Sequence, residues 1–179
     1  MESLNIIESM QERIDAVVLA CYGDPGLYAM KEILKVPVVG IAEASMVMAT
    51  ILGQKFSILV ALDKSVSMME NLVLRHGFKD RLSSIRSVEM PVLDLEAKPE
   101  ETTKKLTEAG KRAIQDGAET IILGCAGLTG FDLKLQKELG IPVIDPVKAG
   151  VKLAEALSFM GLTISKRGLY SYPPKMRRD

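Results

Sequence analysis

Charge of either sign is not in surplus in this chain: 23 Lys and Arg stand against 23 Asp and Glu. That balance removes the electrostatic case for nucleic acid or an anionic membrane surface as a partner. No apolar run approaches the roughly eighteen residues of a membrane span. The opening Met1-Glu-Ser-Leu4 lacks the basic and apolar regions of a secretory leader. The expectation is therefore a cytoplasmic protein whose thiols are kept reduced. Histidine is scarce, with His76 alone, and there is no Cys-x-x-Cys, so no metal site is expected from the spacing. Cysteine is nearly as rare: Cys21 and Cys125 are the only two.

What is present is a repeat, and both cysteines belong to it. Ala16-Val-Val-Leu-Ala-Cys21-Tyr-Gly-Asp-Pro-Gly26 is matched by Thr120-Ile-Ile-Leu-Gly-Cys125-Ala-Gly-Leu-Thr-Gly130. A constant offset lays Leu19 on Leu123, Cys21 on Cys125, Gly23 on Gly127 and Gly26 on Gly130. After one inserted residue the match continues with Leu34 on Leu139, Pro37-Val38 on Pro142-Val143, and Ala44 on Ala149.

Periodicity predicts an amphipathic helix over 2–13 and a buried parallel strand over 15–20 ending at Cys21. A helix to about Lys35, a strand over 36–41, and a helix with Ala44, Val47, Met48 and Ile51 inward follow, stopping at Gly53. The second half reads as a strand over 56–61, then a helix capped by Asp63 with Val66, Met69, Val73 and His76 on its stripe. A strand over 84–90 and a helix over 99–116 precede the recurring unit: strand 119–124, helix 130–139, strand 141–145 and helix 147–160. Such alternation gives an α/β fold with parallel sheets flanked by helices, arranged as two pseudosymmetric lobes. The expected division is 1–53 carrying Cys21, 54–164 carrying Cys125, and an irregular tail 165–179 lying over the body or against a neighbouring subunit. The first half lacks the strand–helix–strand that precedes the unit in the second, a segment of about fifty residues.

In open parallel sheets ligands bind beyond the carboxyl ends of the strands. Two lobes facing each other across a cleft present one thiol to each face of a planar substrate. That is the requirement of a two-base racemase: one thiolate removes a proton beside a carbonyl, and the opposite thiol returns one. Glycine turns allow close approach, and nearby helix N-termini favour anionic oxygen and a thiolate. Asp24 either tunes the thiol, accepts a substrate N–H, or caps the turn. It breaks the symmetry, because its counterpart is Leu128. Glu43 and Lys148 start equivalent helices and are candidates for lining the cleft. His76, beside Gly77, reads as a packing or capping residue.

Ala20-Cys-Tyr-Gly-Asp-Pro-Gly-Leu27, Pro37-Val-Val-Gly-Ile-Ala-Glu-Ala44, Leu123-Gly-Cys-Ala-Gly-Leu128 and Pro142-Val-Ile-Asp145 together resemble the hydantoin and allantoin racemases. These belong to the aspartate/glutamate racemase superfamily, and the resemblance extends into Ser165–Tyr170. It implies catalysis without pyridoxal phosphate, metal or other cofactor, with Cys21 and Cys125 as the acid/base pair. It also implies that the turn residues Tyr22, Gly23, Asp24, Ala126 and Gly127 hold the substrate, a hydantoin-like ring or amino-acid derivative, within a homo-oligomer. The family's opening Asn-Pro-Asn strand motif has no match in Met1–Ile14. Rival readings are racemisation of an acidic amino acid, cis–trans isomerisation, decarboxylation, or a non-catalytic binding protein.

Overall fold

A computed structural model describes residues 14–174; the helix expected over 2–13 lies outside them. Val17–Leu19 (β1) and Val38–Gly40 (β2) form a parallel pair joined by the short helix Leu27–Ile33 (α1). Helix Ile41–Leu52 (α2) leads to strand Phe56–Val60 (β3), helix Val66–Arg75 (α3) and strand Leu82–Ser87 (β4). Helices Val92–Ala97 (α4) and Pro99–Gln115 (α5) precede strand Thr120–Leu123 (β5). Helix Asp132–Leu139 (α6), strand Val143–Ile144 (β6) and helix Pro146–Phe159 (α7) complete the core. The second sheet is parallel in the order β4-β3-β5-β6. Helix crossovers link its strands, as parallel pairing demands.

The repeat is written in the main chain as well as in the sequence. Val17 and Val18 pair with Val38 and Val39, as Ile121 and Ile122 pair with Val143 and Ile144. The Val17 N–H donates to the Pro37 carbonyl at 2.8 Å, and its counterpart Ile121 donates to Pro142 at 2.9 Å. Each proline thus stands just before its strand, where its missing donor breaks no rung of the ladder.

One apolar cluster joins the two sheets. It contains Val39, Ile41, Ala42, Ala44, Met46 and Ala49 from the first repeat, with Phe56, Ile58, Ile122, Ile144 and Ala149 from the second half. Helix α2 packs on α7 and on β5, while α7 packs on β1 and β2, so this helix pair fills the space between the sheets. A helix covered on two sides buries more than one stripe. Met46 is therefore buried, while Ile51, expected inward, is 77% exposed, and Val47 and Met48 are only half-buried.

Three further expectations are corrected. Strand β1 is half-buried along its length. Among the described residues its outer edge has no partner strand, whereas its counterpart β5 pairs on both sides. Asp63 does not cap α3: it opens a 3-10 turn, Asp63–Ser65, and the N-cap Ser65 makes no side-chain capping bond. Helix α4 is an additional element, started at Pro91 ahead of Val92-Leu-Asp-Leu. No helix among the described residues is long and apolar enough to cross a membrane.

Candidate functional site

Beyond β1 and β5 the chain makes the same turn twice. Asp24 N–H donates to the Cys21 carbonyl at 2.9 Å, and its counterpart Leu128 N–H donates to the Cys125 carbonyl at 3.1 Å. The next bond repeats too, Leu27 N–H to Asp24 O at 3.2 Å and Phe131 N–H to Leu128 O at 3.3 Å. Gly26 and Gly130 close the turns with φ of 78° and 92°, a left-handed conformation that costs glycine nothing extra. Each cysteine lies two residues past its strand rather than at the strand's last residue. Cys21 is exposed and Cys125 half-buried; both are free thiols.

The residues following the cysteines divide by direction. Tyr22 is turned into the core, 4% exposed, with its hydroxyl 3.3 Å from Ser45 Oγ. Burial pushes its phenol well above the usual range, with the Ser45 hydrogen bond working weakly against this. Its side chain anchors the turn and does not reach outward. The Asp24 side chain is also buried, its oxygens accepting from Ala42 N–H at 3.5 Å and Glu43 N–H at 3.3 Å at the start of α2. His76, at the end of α3, brings Nε2 to 3.6 Å from Asp24 Oδ2, and a cavity of about 110 Å³ lies between α1 and α3 beside them. The capping alternative for Asp24 is thus the one its contacts display, on a neighbouring helix rather than on its own. Gly23, Ala126 and Gly127 remain half-buried with their main chain at the turn surface. Ala126 packs on the same apolar cluster that holds Tyr22.

Glu43 and Lys148 hold equivalent places in α2 and α7, and each is engaged in an ion pair. Lys31 Nζ meets Glu43 Oε2 at 2.7 Å, and Lys148 Nζ meets both Asp132 oxygens at 2.7 Å. They pin each turn's following helix, α1 or α6, to the helix after the paired strand. Periodicity does not mark α4, whose Val92 and Leu95 stand over Gly127 within 3.7 Å of where a Cβ there would lie, alongside Cys125 Sγ. The signal for it was Pro91 followed by Val92-Leu-Asp-Leu95, short enough to pass as an apolar linker.

The turns also touch the N-termini of α2 and α7, and carboxylates occupy both. At α7, Asp145 accepts from Val147 N–H at 2.9 Å and Lys148 N–H at 3.2 Å. The anion these two ends stabilise is therefore aspartate.

Two parallel sheets built around a duplicated strand–turn–helix unit, with one thiol at the same point of each copy, make an α/β fold of the racemase type. The chain belongs to the Asp/Glu/Hydantoin racemase family, whose sequence profile matches residues 2–154. It is 48% identical over 166 residues to a hydantoin racemase of Pseudomonas sp. strain NS671, covering 92% of this chain and 67% of that one. Among solved structures, the allantoin racemase from Klebsiella pneumoniae superposes with a TM-score of 0.91 at 38% identity, over 99% of this chain and 73% of that chain. The Pseudomonas fluorescens allantoin racemase also gives 0.91, at 34% identity, over 99% and 76% of the two chains. The chain thus spans about two-thirds to three-quarters of these relatives' lengths.

Proposed function

We propose that this chain carries the proton-transfer pair of a racemase acting on 5-substituted hydantoins or allantoin, with Cys21 and Cys125 as its two bases. The observation that supports this reading is the repeated turn: two thiols presented by the same backbone hydrogen bonds, on turns packed against one apolar cluster. A hydantoin C5–H is flanked by a carbonyl and a ring nitrogen. One thiolate takes that proton and leaves a planar enolate whose charge rests on the carbonyl oxygen. The opposite cysteine, entering as thiol, gives its proton to the other face of C5. The product is the mirror-image ring, and the two sulfurs have exchanged protonation states, so the next turnover in reverse needs no further reagent. No pyridoxal phosphate or metal takes part in these steps. Half-buried main-chain groups at Gly23, Ala126 and Gly127 are suited to hold the ring carbonyls, since their own side chains are no larger than a methyl.

The mechanism requires that one thiol start ionised while the other does not. Incubating the protein with one enantiomer of 5-benzylhydantoin or allantoin in heavy water tests this. Deuterium enters C5 with racemisation in the parent, and Cys21→Ser and Cys125→Ser each lower the rate by about a hundredfold or more, the scale of a lost general base. Exchange unchanged in both variants would remove the cysteines from the mechanism.

A further inference from the structure

Aligned residue for residue, the two repeats differ at many places, and two of these differences are related. Asp24 stands where the second copy has Leu128, and Gly40 stands where it has Asp145. In space these two disagreements cancel. A Cβ built on Gly40 falls on the Asp24 carboxylate, contacting its Cγ and both oxygens. The Asp24 carboxylate therefore fills, in the first repeat, the place that a side chain from the end of β2 would take. In the second repeat that place belongs to Asp145, at the end of β6. Gly40 is not glycine for backbone reasons, since its φ of −81° and ψ of 139° are nearly those of Asp145, −78° and 117°.

Both carboxylates bind the same pair of structures. Asp24 sits on the cysteine turn and reaches the start of α2, through Ala42 and Glu43 N–H. Asp145 sits at the start of α7, caps it, and reaches back to the cysteine turn, accepting from Gly130 N–H at 3.0 Å and Thr129 Oγ1 at 3.5 Å. The ion pairs that brace the same junction are exchanged in the same way: Glu43 of α2 takes Lys31, and Lys148 of α7 takes Asp132, with the charges reversed.

We infer that Asp24 and Asp145 are one positioning device present in both halves, a buried carboxylate that locks each cysteine turn to the helix after its paired strand. In one repeat it is rooted in the turn, and in the other at the helix. Asp24 is thus a compensated exchange rather than a break in the symmetry. The device fixes the turn that carries each cysteine, and its kinetic consequence rests on the two-cysteine mechanism proposed above.

The inference is tested by moving the carboxylate. Asp24→Gly removes it without backbone strain, because residue 24 has φ of 46°. Amide hydrogen exchange of the 20–28 segment should then speed up about fivefold or more, the effect of a lost helix cap, with the 124–131 segment unchanged. Gly40→Asp alone places two carboxylates in one space and should be worse than either parent or Asp24→Gly. Combined, Asp24→Gly with Gly40→Asp rebuilds the Asp145 arrangement and should return the 20–28 segment to within about threefold of the parent. Asp145→Ala should loosen 124–131 alone. A double variant no better protected than Asp24→Gly, or single variants that loosen both turns equally, would overturn the inference. These measurements need no substrate, so they stand even if the racemase reading fails. Where racemisation is observed, Asp24→Gly should lower kcat while leaving KM within about twofold, and the double variant should restore kcat.

Discussion

At the scale of single residues, the difference between the two turns is carried by what stands next to each cysteine. Gly124 precedes Cys125, donates to Leu59 O at 2.7 Å, and leaves so little room that a Cβ would lie 2.8 Å from that oxygen and 2.7 Å from Ile58 Cγ2. Its counterpart Ala20 is exposed, because β1 has no described strand where β5 has β3. Gly124→Ala must therefore push β3 and β5 apart and is expected to cost about 1–3 kcal/mol, whereas Ala20→Gly costs about 1 kcal/mol at most. Urea unfolding of the two variants checks the asymmetry. The repeated cysteines, glycines and prolines were legible in the sequence because each answers to a local demand: a turn, a left-handed φ, or a strand start. The partners of Asp24 were not, since Ala42, Glu43 and His76 come from elements that only folding brings together.

Elements were legible where one face meets one neighbour. Helix α5 runs from Pro99 with Glu100 and Glu101 in its first turn, as its charge pattern predicts. Helix α2 departs from its periodicity at Ile51 because it has two apolar neighbours, and periodicity assumes one. The joint between β4 and the end of α5 is electrostatic: Arg86 Nε and an Nη donate to the two Asp116 oxygens at 2.7 and 2.6 Å. That guanidinium, helped by a Ser84 hydrogen bond, holds the Asp116 carboxyl below the usual carboxylate range. A carboxylate lowered on folding stabilises the folded state above its unfolded value, near 3.9, and that contribution fades as pH falls through the lower folded value. Asp116→Asn should therefore lower the melting temperature at neutral pH, with the gap from the parent closing in acid. A gap of the same size at pH 7 and pH 2.5 would assign the effect to packing.

For the whole molecule, the seam that matters is the α2–α7 pair between the sheets. Gly150 of α7 lies where it touches both neighbours, with a built Cβ 2.9 Å from Ile41 Cγ2 and 3.1 Å from Val18 Cγ1. Gly150→Ala gains about 1 kcal/mol of helix propensity against a contact that side chains can relieve, so stability should change little. Gly150→Val adds branching that cannot be relieved and should cost about 2 kcal/mol. Because this seam carries both turns, amide exchange should rise at 20–28 and 124–131 together, unlike the one-sided loss expected from Asp24→Gly. The far end is closed by the tail, where Lys166 Nζ donates to Lys31 O and Glu32 O at 2.6 and 2.9 Å at the end of α1. The described part of the tail lies over the body.

Residue spacing along the chain is enough to establish that a strand–turn–helix unit occurs twice, that each copy carries one thiol, and that the strands lie in parallel sheets. Those properties follow from spacing, because apolar β-branched runs, glycines and prolines act within a few residues of themselves. Tertiary structure alone decided which end of the junction supplies each carboxylate. One space admits one side chain, and either of two backbones far apart in sequence can fill it: β1's turn does so with Asp24, and the end of β6 does so with Asp145.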